Sequence, residues 1–137
     1  VKDGLLFFKA DGQYRSKIGI SPQRALPIVA SYDALNNVLT IAKFSLSNGA
    51  ADYVNSLWQI QEEPFKGDAI NSYNDGPVNG GQMGKLYELE SSSPAAALAP
   101  NESLTHKHST VHLKGPKEEL DKIAMKLLGV TVDAISL

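Results

Sequence analysis

The N-terminal part of the chain alternates between short apolar runs and turn residues, a pattern that predicts β-strands. Residues 5–10 form one apolar run, and the dipeptide Asp11-Gly12 after it favours a tight turn. Residues 14–20 then alternate between polar and apolar side chains, as a strand with one buried face does. The three segments together predict a β-hairpin.

Three further strands are predicted before the middle of the chain. Residues 27–32 and 38–46 are joined through Asn36-Asn37, two residues that tolerate the positive φ of a tight turn. Residues 53–60 place three apolar side chains on one face, as a half-buried strand does: Val54, Trp58 and Ile60. The polar face of that strand is a candidate ligand surface, and the rings of Tyr53 and Trp58 are candidates for stacking on a sugar.

A change of composition marks residues 62–84, which are rich in Gly, Asn, Asp and Pro. A loop of this length is uncommon inside a compact domain and is often functional. We expect one strand within it, over 68–73, and two more strands after it, over 85–91 and 102–113.

A single helix is predicted near the C-terminus. Pro116 suits a first helical turn, and Glu118 and Glu119 suit the positive end of the helix dipole. Apolar side chains then recur at helical spacing until Gly129 provides a stop: Leu120, Ile123, Ala124, Leu127 and Leu128. The whole pattern predicts an all-β fold, an antiparallel β-sandwich with one C-terminal α-helix.

The composition is that of a folded globular protein, with 42% hydrophobic and 20% charged residues in 137. No apolar run approaches the roughly 18 residues of a spanning helix. The net charge is −2, and the sequence has no large basic cluster of the kind that binds nucleic acids or anionic membranes. Without cysteine, disulfides and thiolate metal sites are excluded. The length predicts a single domain, and because the first residue is Val1 we expect a processed chain, an excised domain or a fragment of a longer gene.

The three histidines of the predicted strand 102–113 share one face and suggest a metal site. At ~3.3 Å per residue, His106 and His108 lie about 6.6 Å apart, from which two imidazoles can converge on one ion. His112 lies roughly 13 Å beyond His108 and cannot easily join them. A carboxylate such as Glu88 would complete the ligands. The HxH pair resembles part of the first cupin motif, without its glycine, so a cupin-like domain binding a divalent metal is one alternative.

A second candidate centre is the pair Glu88 and Glu90, which project to the same side of a predicted strand. One carboxyl could act as general base while the other raises its pKa. The loop before them supplies oxygen and amide groups that suit sugar hydroxyls or a calcium ion: Asp68, Asn71, Tyr73, Asn74 and Asp75. The sequence contains no phosphate-binding glycine loop, nucleophile elbow or HExxH motif.

The stretch YELESSSPAAALAPNESLTHKHSTVHL, residues 87–113, resembles the C-terminal strands of galactose-mutarotase-like proteins, the aldose 1-epimerase superfamily. In that superfamily a strand with a catalytic Glu is followed by a Pro-containing loop and a final long strand. The segments KADGQYRSKIGIS and EEPFKGDAINSYNDGP are similar to an uncharacterised bacterial branch of it. The resemblance implies a single β-sandwich domain, a fragment of the supersandwich fold that is the C-terminal half of a longer protein. It also implies a bacterial protein, of periplasmic or cytoplasmic location.

By this resemblance Glu90 corresponds to the general base that takes the proton from the anomeric hydroxyl. Glu88 is the second choice, because the spacing to Pro94 is ambiguous. Superfamily members are longer than this chain, and the histidines on their acid side lie in an N-terminal half that it does not contain. His106 and His108 have no counterpart in ordinary epimerases.

Our leading hypothesis is a carbohydrate-binding domain that acts without a cofactor at the anomeric centre of a sugar. The catalytic candidates are Glu90, His106 and His108. The candidates for substrate binding are Glu88, Asn71, Tyr73, Asn74, Asp75 and Arg15. A saccharide is the expected partner, with no nucleic acid and no membrane. A further alternative is a non-catalytic module that forms a homodimer through exposed strand edges.

Overall fold

The fold is known from a computed structural model that describes residues 1, 4–47, 49, 52–57 and 59–135. Trp58, one of the two rings considered for stacking on a sugar, lies outside the described residues. Within the described ranges, no helix is both long enough and apolar enough to cross a membrane.

The strands follow one another along the chain and form two antiparallel sheets. In chain order they are β1 (Ser16–Ile20), β2 (Ile28–Asp33), β3 (Val38–Phe44), β4 (Ile70–Asn74), β5 (Tyr87–Ser91) and β6 (His108–Lys114). The first sheet has the order β1-β4-β5 and the second has the order β2-β3-β6. The helices α1 (Lys117–Leu128) and α2 (Val132–Ile135) come last.

The two sheets share a hydrophobic cluster, in which Phe44 of β3 meets Ile70 of β4. Its other buried members come from the loops: Ala25, Tyr53 and Ala69. Polar contacts between the sheets add to it, since the hydroxyls of Ser31 on β2 and Tyr87 on β5 lie 2.8 Å apart. The predicted all-β, sandwich-like fold is confirmed.

The helices cover the opposite face of the second sheet. Leu39 and Ile41 of β3 pack there against three fully or almost fully buried side chains of the helical region: Leu120, Ala124 and Val132. Gly129 ends α1 with a φ of 74°, and its N–H donates to the carbonyl of Met125. The predicted helix and its glycine stop are therefore confirmed, and α2 adds a short turn beyond them.

The predicted N-terminal hairpin is wrong. Residues 6–10 form no strand, and β1 pairs with β4. The turn at Asp11-Gly12 does form, with a φ of 71° at Gly12. Its Gly12 N–H, however, donates to Asn74 Oδ1 at 2.9 Å, so that a contact across 62 residues takes the place of local pairing.

The structure confirms the second predicted hairpin but not the strand predicted after it. The β2–β3 hairpin is confirmed, with a φ of 52° at Asn37 in its turn. The strand predicted over 53–60 is wrong, since the described residues there contribute only an isolated bridge between Tyr53 and Lys66. The side chain of Asn55 accepts the N–H of Leu57 at 3.1 Å, a local turn that competes with extended pairing.

Candidate functional site

Glu90 and two of the histidines, predicted to share one site, lie on opposite faces of β5. Successive side chains of a strand point to opposite sides. Ser91 points to the second sheet, where its Oγ lies 2.8 Å from His106 Nε2 and 2.7 Å from His108 Nδ1. Glu90 points the other way, and its Oε2 lies 3.0 Å from Lys17 Nζ on β1. The structure therefore does not bring Glu90 together with His106 and His108.

The hydroxyl of Ser91 is the centre of a small hydrogen-bonded group between the sheets. His108 Nε2 lies 3.1 Å from Thr110 Oγ1. His106 Nδ1 lies 3.4 Å from Ser45 Oγ, which also accepts the N–H of Lys107 at 2.9 Å. These contacts connect the end of β5 to β6 and to the residue that follows β3, so they hold the sheets together.

The strand that carries the histidines is shorter than predicted. β6 begins at His108, so His106 lies in the loop before it. His112 stands opposite Thr40 in the register, and its Nδ1 lies 2.9 Å from Thr40 Oγ1. His112 is thus outside the Ser91 group, as the spacing predicted.

The ligand set predicted for a metal does not assemble. Glu88 lies on the same face of β5 as Glu90, and so on the face opposite to the one that meets His106 and His108. In the described part of the chain, no group of three or more His, Cys, Asp or Glu side chains is arranged to hold a metal ion. The cupin-like alternative therefore loses the carboxylate that it needed.

A polar surface lies on the face of the first sheet that points away from the second sheet. We call it the polar face and define it by Lys17, Gly19, Asn71, Tyr73, Glu88 and Glu90. The register aligns these residues in two rows across the three strands, one of Gly19, Asn71 and Glu90 and one of Lys17, Tyr73 and Glu88. Four predicted site residues therefore lie together: Asn71, Tyr73, Glu88 and Glu90.

Charge on the polar face is concentrated at its two glutamates. The ion pair between Lys17 and Glu90 spans the middle strand β4, and both side chains are about one-third exposed. Desolvation at the sheet surface and the neighbouring Glu90 carboxyl, whose charge repels that of Glu88, raise the pKa of Glu88. The face thus holds a carboxylate with a cation beside it and a second carboxyl that retains its proton more readily than an ordinary Glu.

Gly19 leaves a gap in the polar face that neighbouring polar groups occupy. A Cβ at this position would overlap the carboxylate of Asp68 and come within 2.8 Å of Asn71 Oδ1. Asn71 is only 6% exposed, yet its side-chain amide has no hydrogen bond to any described residue. Glu90 Oε1 is also buried without such a partner. We call the group of Gly19, Asp68, Asn71 and Glu90 the Gly19 cradle.

Asp68 closes one side of the Gly19 cradle from the loop before β4. Burial raises the pKa of its carboxyl, while the charge of Lys17 opposes that change. The carboxylate makes no salt bridge or hydrogen bond within the described ranges. The cradle therefore places the Asp68 carboxylate close to the Asn71 side chain at Gly19, and neither group has a hydrogen bond to a described residue.

Two residues predicted to contact substrate hold the fold instead. Asp75 is fully buried and accepts hydrogen bonds from Tyr73 Oη at 2.6 Å and from the Gly84 N–H at 3.1 Å. Arg15 lies 3.5 Å from its Oδ1. The Tyr73 hydrogen bond above all lowers the pKa of Asp75 and raises that of Tyr73. Asp75 and its partner Arg15 are thus structural contacts at the edge of the polar face.

Asn74 is a structural residue as well. It is 1% exposed, and its Oδ1 accepts the N–H of Gly12 at 2.9 Å. Its Nδ2 donates to the carbonyl of Tyr14, also at 2.9 Å. The Asn74 side chain fastens the turn before β1 to β4 and has no atom left for a ligand.

Sequence reasoning missed Lys17 and Gly19 as site residues. The alternation of 14–20 placed Lys17 on the face opposite Ile18 and Ile20, but it could not show that β1 pairs with β4. Asp68 was noted only as one of several oxygen donors in a loop. The signal for the site is the long-range register, which brings Lys17 and Gly19 beside Tyr73 and Asn71.

Comparison with known proteins identifies a family but no function. No curated protein and no solved structure matches the chain. A protein family described as a family of unknown function, DUF6786, matches residues 1–137. Because the match covers the whole sequence, the chain belongs to the DUF6786 family.

Proposed function

We propose that the chain binds a saccharide on the polar face, as a carbohydrate-binding domain of the mutarotase type. The observation that carries the proposal is the Gly19 cradle, where Glu90 Oε1 is buried without a partner and Asn71, only 6% exposed, has no side-chain hydrogen bond to a described residue. A buried polar group left unpaired costs about 1–3 kcal/mol. Sugar hydroxyls both donate and accept, so a bound sugar would satisfy these groups.

Tyr73 gives the polar face an aromatic component. The register places it between Lys17 and Glu88, and the hydrogen bond from its Oη to Asp75 fixes the position of the ring. Small-molecule sites combine apolar or aromatic surface with a few fixed polar groups. A held ring beside ionisable groups supports a saccharide, with its apolar C–H surface and polar rim, over a purely ionic ligand.

The two glutamates support proton transfer at the anomeric centre. The carboxylate of Glu90, paired with Lys17, would take the proton of the anomeric O–H, and Glu88, whose pKa is raised, would give a proton to the ring oxygen when it is protonated. The ring C–O bond at the anomeric carbon then breaks as the anomeric oxygen becomes the carbonyl of an open-chain aldehyde. Rotation about the bond between C1 and C2, followed by reversal of both proton transfers, closes the ring on the other face. Glu90 keeps the role that the resemblance implies, and Glu88 replaces His106 and His108 as the acid.

NMR titration with neutral hexoses tests the proposal. We expect the backbone amide signals of Lys17, Gly19 and Asn71 to shift in a saturable manner. Asn71→Ala, which removes the buried amide, should weaken binding several-fold. Glu118→Gln is the control. Glu118 is an exposed residue of α1, which packs on the second sheet and not on the polar face, so this variant should bind as the unaltered protein does.

Mutarotation is measured separately, from the rate of anomer exchange in the same samples. Glu90→Gln should abolish the rate enhancement and leave the sheet intact. The binding proposal fails if no hexose or uronic acid shifts signals on the polar face. The proton-transfer step fails on its own if the sugar binds but Glu90→Gln leaves the exchange rate unchanged.

A further inference from the structure

The Gly19 cradle has more acceptors than donors. Asp68 approaches from the loop, and Glu90 leans across β4 toward Lys17, so both carboxylates come over Asn71. Lys17 is the nearby cation, and it already binds Glu90 Oε2. The Asp68 carboxylate and Glu90 Oε1 have no partner within the described chain. The cradle therefore carries a net negative charge and needs donors.

The rest of the polar face adds to this imbalance. Arg15 is committed to Asp75 at the edge of the face. Glu88 forms no salt bridge with any residue that the structure describes. A ligand carboxylate or phosphate would find both nearby cations occupied and would be repelled by the carboxylates around them.

The buried position of Asn71 separates this group from an ordinary acidic surface patch. Asn71 is only 6% exposed, its amide makes no hydrogen bond to a described residue, and its Oδ1 lies 2.8 Å from the position that a Cβ on Gly19 would take. Covered amides are normally hydrogen-bonded. The unpaired amide marks the floor of the cradle as the place where a ligand group completes the hydrogen bonds.

We infer that the cradle receives a protonated amino group and that the ligand of the polar face is an amino sugar with a free amine. This inference rests on the proposed saccharide binding. An ammonium group has three N–H donors and no acceptor, which matches one donor each to Asp68, Glu90 Oε1 and Asn71 Oδ1. Hydrogen bonds between charged partners are roughly twice as strong as neutral ones. A neutral hydroxyl in the same position would form weaker hydrogen bonds.

Calorimetric titration with four sugars of one ring type tests the inference: glucose, glucosamine, N-acetylglucosamine and glucuronate. At about pH 6 the amine of glucosamine is protonated. N-acetylglucosamine is the matched control, because its amide retains the nitrogen but loses the charge. We expect glucosamine to bind about tenfold more tightly than either neutral sugar. Glucuronate should bind most weakly.

The variant Asp68→Asn assigns the preference to the cradle. It keeps the size of the side chain and removes its charge, so glucosamine should lose most of its advantage over N-acetylglucosamine. Glu118→Gln on α1 is the control for a change of net charge. With the unaltered protein, added salt should reduce the advantage of glucosamine and leave glucose binding unchanged.

The outcomes separate the two proposals. Equal binding of glucosamine and N-acetylglucosamine, or a preference for glucuronate, overturns the inference and leaves saccharide binding standing. A preference for glucosamine that persists in Asp68→Asn overturns the assignment to the cradle. Failure of all four sugars to bind removes both the proposed function and the inference.

Discussion

Ser91 Oγ and His108 Nδ1 lie 2.7 Å apart, a contact that joins the last residue of β5 to the first residue of β6 across the two sheets. His106 Nε2 approaches the same hydroxyl at 2.8 Å. A hydroxyl carries one proton and can donate to only one of the two rings. At least one ring must therefore donate its own N–H to the Ser91 oxygen, which has two acceptor lone pairs.

We predict that at least one of the two ring nitrogens that meet Ser91, His106 Nε2 and His108 Nδ1, carries a hydrogen when both imidazoles are neutral. Nitrogen chemical shifts from a long-range ¹⁵N–¹H correlation spectrum report each state directly. His112, which meets Thr40 instead, is the internal reference. Two hydrogen-free nitrogens would contradict the shared-hydroxyl geometry.

The same contacts predict a cost for removing the hydroxyl. Ser91→Ala eliminates two hydrogen bonds between the sheets, each with a net contribution of about 1 kcal/mol, so unfolding should require about 1–2 kcal/mol less. Urea denaturation followed by fluorescence measures the difference. Ser92→Ala is the matched control, because no described residue binds its hydroxyl. Equal losses in the two variants would count against a role for Ser91 in joining the sheets.

Asp75 predicts a dependence of stability on acid. Its pKa is lowered, first by the hydrogen bond from Tyr73, so the folded state favours the carboxylate. Its contribution to stability is therefore complete above the ordinary value of 3.8 and is lost as the pH falls through the lower, folded value. We expect Asp75→Asn to reduce Tm by about 5 °C at neutral pH and by much less in strong acid.

Differential scanning calorimetry at the two pH values measures this difference for Asp75. The control is Asp52→Asn, because Asp52 is an exposed acid outside the strands. It should change Tm little at either pH. A loss of Tm in Asp75→Asn that is as large in acid as at neutral pH would show that packing around the side chain, and not its charge, stabilises the fold.

Elements whose formation depends only on residues close along the chain could be predicted from the sequence. The β2–β3 turn needs only the tolerance of Asn37 for a positive φ, and α1 needs only its apolar spacing and the stop at Gly129. The prediction of an N-terminal hairpin was wrong because the turn at Gly12 binds a residue far along the chain. Asn74 binds Gly12 across 62 residues, and no local pattern encodes such a contact.

The candidate site, too, could be predicted only where it depends on residues close along the chain. The alternation of β5 alone placed Glu88 and Glu90 on one face, as the structure has them. Whether His106 joins them depends on which face of β5 meets the other sheet, and alternation is silent on that choice. Gly19 acquires its significance only from the pairing of β1 with β4, which sets it beside Asn71.

Glu88 predicts a dependence on pH of the opposite sign to that of Asp75. Its pKa is raised by burial and by Glu90, so the fold disfavours the ionised form. Stability from this group is complete below its ordinary value of 4.5 and is lost as the pH rises through the folded value. Glu88→Gln, which cannot ionise, should raise Tm by about 2 °C at neutral pH and leave it unchanged in acid.

Calorimetry across the acid and neutral range measures the change in Tm. Glu118→Gln is the control, because it makes the same change of charge on α1, away from Glu90. A lower Tm for Glu88→Gln at neutral pH would mean that the Glu88 carboxylate is stabilised by its surroundings, and would exclude it as the acid of the pair. With the expected rise in Tm, the same variant should still bind a hexose but lose the enhancement of anomer exchange. The proton held by Glu88 would then account for both results, because the group that destabilises the fold when ionised is the one that supplies the proton.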